Sequence, residues 1–111
     1  MAITKAKLFN TSQKRTSELM KALGHPARIA IIELLAERET CICGDITDEL
    51  PLAQSTVSQH LKALKKAGII QGEIDGVRTC YCLSEEGIED LNELFVPLIK
   101  NLTTATQKNC C

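Results

Sequence analysis

Six cysteines stand in this 111-residue sequence as three close pairs: Cys41 with Cys43, Cys80 with Cys82, and Cys110 with Cys111. Thiols gathered in this way under reducing conditions bind soft ions or sense redox state, because the thiolate is both the soft ligand and the nucleophile. The plain alternative is that some are small buried hydrophobes. The sequence has neither a CxxC pair nor a CX5R nucleophile loop, which argues against a thiol oxidoreductase or an arsenate reductase. Residues 1–10 lack the apolar stretch of a secretory signal, and no apolar run reaches the roughly 18–20 residues that cross a bilayer. The expected location is therefore the cytoplasm, away from membranes, where thiols stay reduced.

A second group of residues has chemistry of another kind. Residues 54–68 carry His60, Lys62, Lys65 and Lys66 and no acid, although the net charge of the whole chain is −1. Five more bases (Lys5, Lys7, Lys14, Arg15, Lys21) face one acid, Glu18, within residues 1–21, while Glu85, Glu86, Glu89, Asp90 and Glu93 cluster later. A DNA-facing surface balanced by acids on the far side has this distribution, and so do many solvated helix faces.

These residues need elements to hold them. Residues 11–23 read as a helix, with Leu19, Met20 and Leu23 on one face. Gly24-His25-Pro26 interrupts, and Pro26 suits the first turn of a second helix that fades by Arg38. Residues 40–43 form a junction before a short helix to about Leu50, ended by Pro51. Ser55 is the expected N-cap of the next helix, which buries Val57, Leu61 and Leu64 and stops at Gly68. Asp75-Gly76 then joins residues 69–74 and 77–83 as a hairpin. A last helix begins near Ser84, and Pro97 should kink or divide it.

This order predicts a mainly α fold with a β-hairpin wing, a winged helix-turn-helix that places its second helix in the DNA major groove. One domain covers residues 1–111. Residues 42–67 are the helix-turn-helix, 69–83 the wing and 108–111 a cysteine-containing tail. With Val57 and Leu61 turned inward, Thr56, Gln59, His60 and Lys62 point outward, beside Ser55 and Ser58. Gln59 suits adenine, and the Ser and Thr hydroxyls suit bases or phosphates. Lys62, Lys65 and Lys66 suit phosphates, and Arg78 near the hairpin tip reaches a neighbouring minor groove or phosphate. His60 could instead be a structural histidine.

The run Leu23-Gly24-His25-Pro26-Ala27-Arg28 resembles the opening signature of the ArsR/SmtB metalloregulatory repressors. Cys41-Ile42-Cys43, the run from Ser55 to Leu61, and Tyr81-Cys82-Leu83 extend the likeness over residues 17–86. The resemblance implies a homodimer formed by residues 1–23 and 84–107. That dimer binds double-stranded operator DNA with an inverted repeat when ligand-free, needs no cofactor to do so, and is not an enzyme. It also implies a structural role for His25. A zinc or cobalt site across the last helices would need histidine there, and the only two are His25 and His60.

Cys41-Ile42-Cys43 resembles the arsenite cluster of the arsenic-responsive members, which points to arsenite or antimonite as inducer. The third cysteine of that cluster is missing here. A third thiolate would come from Cys80, Cys82, Cys110 or Cys111, or water would replace it. On a strand, Cys80 and Cys82 share an outer face, with Tyr81 and Leu83 inward. Side chains two apart on an α-helix diverge by about 200°, so chelation by Cys41 and Cys43 requires non-helical backbone. An ion that unwinds this helix start, next to the permissive Gly44, would tilt the recognition helix. A redox or persulfide switch, or a sensor of soft divalent metals, is the rival reading on the same fold.

Overall fold

The computed structural model describes residues 8–39, 41–43, 50–73 and 80–108. Four helices and three strands occur among them: α1 (Thr11–Leu23), α2 (Pro26–Arg38), β1 (Ile42–Cys43), α3 (Gln54–Lys66), β2 (Ile70–Glu73), β3 (Cys80–Leu83) and α4 (Glu85–Gln107).

Local chemistry sets the helix starts. The Asn10 side chain accepts from the Gln13 backbone N–H at 2.7 Å, and the Gln13 side chain accepts from the Asn10 N–H at 3.0 Å, a reciprocal capping box. At α2, His25 Nδ1 accepts from the Ala27 N–H at 3.0 Å and Pro26 fills the first helical position. Ser84 Oγ accepts from the Gly87 N–H at 3.2 Å, and Glu85 and Glu86 complement the positive end of α4.

Three expectations need correction. The N-cap of α3 is Ala53, which offers no side-chain bond, so Ser55 lies one residue inside the helix. Pro97 does not divide α4, which runs as 23 continuous residues. Its missing N–H removes a single bond to the Glu93 carbonyl, and the neighbouring turns carry the helix across it. Ile42 and Cys43, expected in an irregular junction leading into a short helix, form a strand. The expected short helix, at 44–49, lies outside the described residues, as do the hairpin turn with Arg78 and the tail with Cys110 and Cys111.

The sheet has the order β1-β3-β2, both pairings antiparallel. Ile42 pairs with Tyr81 and Cys43 with Cys80, while β2 sets Ile70 opposite Leu83 and Gly72 opposite Tyr81. Gly72 has φ of 128°, and a Cβ there would run into the Cys80 carbonyl, so this pairing needs glycine. Leu19, Ile31, Leu35, Val57, Leu61, Leu64, Ile69, Ile70 and Tyr81 form one core beneath the sheet. Burying a large apolar side chain stabilises by about 1.5–3 kcal/mol, and this core fixes α3 against α2 and the wing. No helix among the described residues is long and apolar enough to cross a membrane.

Candidate DNA interface and cysteine site

The core decides what α3 can show to a partner. Val57, His60, Leu61 and Leu64 are its buried residues. Gln54, Ser55, Gln59, Lys62, Lys65 and Lys66 are exposed, and Thr56 and Ser58 are half-buried at the margin. The α3 residues expected to meet DNA therefore lie together on the outer side of that helix, with His60 as the exception, while Arg78 lies outside the described residues.

His60 is only 8% exposed, which overturns its expected outward orientation. Its Nδ1 accepts from Arg28 Nε at 3.1 Å, and its ring centroid lies 4.4 Å from that of His25. Burial pushes its pKa below the usual histidine value, and the nearby charges of His25 and Arg28 push it further the same way. The spacing held the signal. His60 is three residues after Val57 and four before Leu64, so it falls on their stripe.

Arg28 and Arg15 were missed as organising residues. Arg28 also donates from Nη1 to the Ala22 carbonyl at 3.2 Å. Arg15 was counted with the DNA-facing bases, yet its guanidinium is tied down within the protomer. Nη1 donates to the Ala67 carbonyl at 2.8 Å and to Glu18 at 2.9 Å, and Nη2 donates to Asp90 at 3.0 Å. Nothing in local spacing links positions 15, 67 and 90. Between α1 and the end of α3 lies an open groove of about 530 Å³ lined by Glu18, Lys21, Arg28 and Lys66, among others.

The cysteines meet on the sheet. Residues two apart on a strand share a face, so the pairing of Cys43 with Cys80 brings Cys41 opposite Cys82. Cys41 and Cys82 are joined as a disulfide, with Cα atoms 4.3 Å apart. That spacing matches the close, non-hydrogen-bonded pair of an antiparallel ladder, where side chains approach most nearly. Cys80 is disulfide-bonded as well. The expectation of uniformly reduced thiols is thus not met in this structure. Cys41 is exposed, Cys82 half-buried, and Tyr81 between the wing cysteines is 2% exposed on the opposite, inner face. Among the described residues no three His, Cys, Asp or Glu side chains are arranged to hold a metal ion. A disulfide withdraws two sulfurs from any such set, so ligation requires reduction first.

Comparison with known proteins agrees with this architecture. The family described as bacterial regulatory protein, arsR family, matches residues 25–71. An uncharacterized HTH-type transcriptional regulator of Methanocaldococcus jannaschii is 38% identical over 82 residues, covering 73% of this chain and 91% of that protein. The arsenical resistance operon repressor of Staphylococcus xylosus is 30% identical over 82 residues, covering 74% of this chain and 78% of that one. The crystal structure of Rv0081 from M. tuberculosis superposes with a TM-score of 0.59 at 27% identity, covering 88% of this chain and 98% of that chain. With a relative this similar spanned over nearly its whole length, and with α3 and the wing on one scaffold, the chain belongs to the ArsR family of winged helix-turn-helix, DNA-binding transcriptional regulators and is not an enzyme.

Proposed function

We propose that this protein is a cytoplasmic, homodimeric repressor that binds an inverted-repeat operator when ligand-free. It leaves the DNA when As(III) or Sb(III) is taken up by cysteine thiolates that include Cys41 and Cys43. The observation that carries the reading is the approach of Cys41 to Cys82 within bonding distance. It supplies a donor from the wing to the Cys41-Ile42-Cys43 run, whose own neighbourhood lacks a third cysteine. Of the four candidates for that donor, Cys82 fits best; Cys80, opposite Cys43 in the register, is next. The donor set is sulfur alone, which suits a soft trivalent metalloid better than an oxygen-preferring metal. The name of the Staphylococcus xylosus relative points the same way.

The DNA-binding half rests on the outer side of α3. Ser55, Thr56, Ser58 and Gln59 would reach base edges or nearby phosphates, and Lys62 and Lys66 would hold phosphates. Arg78, between β2 and β3 in the sequence, would extend the footprint. His60 acts from inside, through the position it gives α3.

Release follows from the placement of β1. The chain runs from β1 through residues 44–50 to Pro51 and α3, while β3 belongs to the wing. Because Ile42–Cys43 is already extended, no helix has to unwind for Cys41 and Cys43 to share a face. Ligation by the reduced thiolates of β1 and β3 would tie the two strands together in the fixed geometry of the ion, a constraint the free dithiol lacks, and so shift the approach to α3. Moving a two-state population from 1:99 to 99:1 needs about 5.5 kcal/mol of differential binding, within reach of a thiolate-bound ion.

A gel-shift titration of reduced protein on operator DNA tests this. Arsenite should release the wild type, and Cys41→Ser, Cys43→Ser and Cys82→Ser should each need at least tenfold more. Full release of Cys43→Ser at the wild-type dose would refute the assignment.

A further inference from the structure

The Cys41–Cys82 crosslink joins the strand that leads into the helix-turn-helix to the wing, and it uses a sulfur assigned above to the inducer. We propose that Cys41 and Cys82 are a reversible dithiol–disulfide pair, and that oxidation keeps the repressor on DNA while making it blind to thiophilic inducers. This inference rests on the reading of Cys41 as an inducer ligand.

Three observations carry it. Cys41 is exposed and Cys82 half-buried, so an incoming oxidant meets Cys41 first and Cys82 stands within reach to resolve the adduct. The backbone already pairs β1 with β3 at Ile42–Tyr81 and Cys43–Cys80, so the crosslink adds one rung to an existing ladder and leaves the fold in place. The disulfide-bonded form has α3 packed against α2 and the wing, with the outer residues of α3 open to a partner. The crosslinked state is therefore an ordered winged helix-turn-helix. Because β1 has only two residues, the crosslink is also what ties position 41 to the wing.

The chemistry closes with a low-molecular-weight disulfide as oxidant. The Cys41 thiolate attacks one sulfur of the oxidant, forming a mixed disulfide and expelling one thiolate. The Cys82 thiolate then attacks the Cys41 sulfur, forming the protein disulfide and expelling the second. Two protein thiols are oxidised, one small disulfide is reduced to two thiols, and the two protein protons leave with them. Excess dithiol reverses both steps.

The full-length protein is equilibrated in oxidised or reduced glutathione and its cysteines mapped by peptide mass. Arsenite is then titrated against each form on operator DNA, and alkylation of Cys41 and Cys82 is measured with and without phenylarsine oxide. The expected results are a Cys41–Cys82 linked peptide in oxidised glutathione, operator affinity within about threefold of the reduced form, and at least a tenfold higher arsenite dose for release, all reversed by dithiothreitol. Phenylarsine oxide should protect both cysteines from alkylation in the reduced protein and leave the linked peptide unchanged in the oxidised one. The proposal fails if Cys41 and Cys82 stay alkylatable in oxidised glutathione, if oxidation alone strips the protein from DNA, or if the linked form is released as readily as the reduced. If arsenite releases neither form, the inducer reading fails and the arsenical protection decides this one. Protection confined to the reduced protein upholds competition for the two sulfurs, and its absence overturns it.

Discussion

Arg28 Nε donates to His60 Nδ1 across 3.1 Å and so anchors a charged side chain of α2 to the inward stripe of α3. The His25 ring stands beside the same imidazole, and the other end of Arg28 reaches the Ala22 carbonyl. The start of α2 thus meets His60 directly, and Arg28 ties that contact to the end of α1. The bond from Arg28 needs an unprotonated Nδ1, in agreement with the lowered pKa of His60.

Stability should therefore depend on His60 below neutral pH. In the unfolded chain its pKa returns to about 6.5, while the folded value lies lower because of burial first, then the charges of His25 and Arg28. Above the unfolded value both states are neutral and the contribution is complete. As pH falls, the unfolded chain takes up a proton that the folded one resists, and stability declines. His60→Asn keeps an acceptor for Arg28 and removes the titration. Thermal melts between pH 7.5 and 5 should show a shallower decline for this variant, and an unchanged slope would assign the decline to another group.

Arg15 presents a different case. It links α1 to Asp90 of α4 and to the Ala67 carbonyl at the end of α3. The ion pair with Asp90 is partly exposed, so solvent screens it and it contributes less than about 1 kcal/mol. The bond to the Ala67 carbonyl is part-buried and comes from a charged donor, a class that contributes about 1.5–3 kcal/mol. Arg15→Ala should thus lower the unfolding free energy by about 1–2 kcal/mol and Asp90→Asn by well under half as much. Equal losses in urea denaturation would place the weight on the ion pair.

The two arginines mark the limit of what local sequence can tell. Helix boundaries at α1 and α2 were legible because the apolar spacing of Leu19, Met20 and Leu23 and the break at Gly24-His25-Pro26 are local signals, whereas the caps made by Asn10 and His25 were not foreseen. The inward face of Tyr81 was legible because strand alternation is local too. Ser55 misled because a good capping residue was present, whereas the chain after Pro51 starts the helix two residues earlier, at an uncapped alanine. The junction at 40–43 gave no strand signal because the partner that makes Ile42–Cys43 a strand lies some forty residues away, in β3. For the same reason Cys82 was one of four candidates for a third thiolate, with nothing local to mark it as the neighbour of Cys41. Antiparallel register selects it, and register is a property of the assembled sheet.

The exposed residues of α3 should divide by role in DNA binding. Gln59→Ala should weaken binding by about 1–3 kcal/mol on a site with adenine at the contacted position and much less on unrelated sequence. Lys62→Ala should weaken binding to both and reduce the slope of log K against log salt by about 0.9. Fluorescence anisotropy across a salt series measures both effects. A Gln59→Ala loss shared equally by specific and unrelated DNA would move Gln59 from base reading to phosphate contact.

The last prediction concerns the far end of the molecule, where the fold leaves apolar surface uncovered. Val96, Ile99 and Leu102 on α4 are 58%, 57% and 54% exposed, and they recur every three residues along one side of the helix. Leu8, Phe9 and Met20 are exposed near α1, which packs against α4. Residues of this kind at helical spacing are the ordinary material of a symmetric helical interface, and two copies of α3 would then face successive half-sites one DNA turn apart. Ile99→Lys places a charge at the centre of that stripe and disturbs little within the protomer, where the side chain is mostly exposed. The variant should keep its helical circular dichroism, sediment as a monomer at concentrations where the wild type is a dimer, and bind the full operator at least tenfold more weakly. A variant that stays dimeric would move the interface away from this stripe, and a monomer that still binds the full operator with wild-type affinity would show that pairing is not needed to read both half-sites.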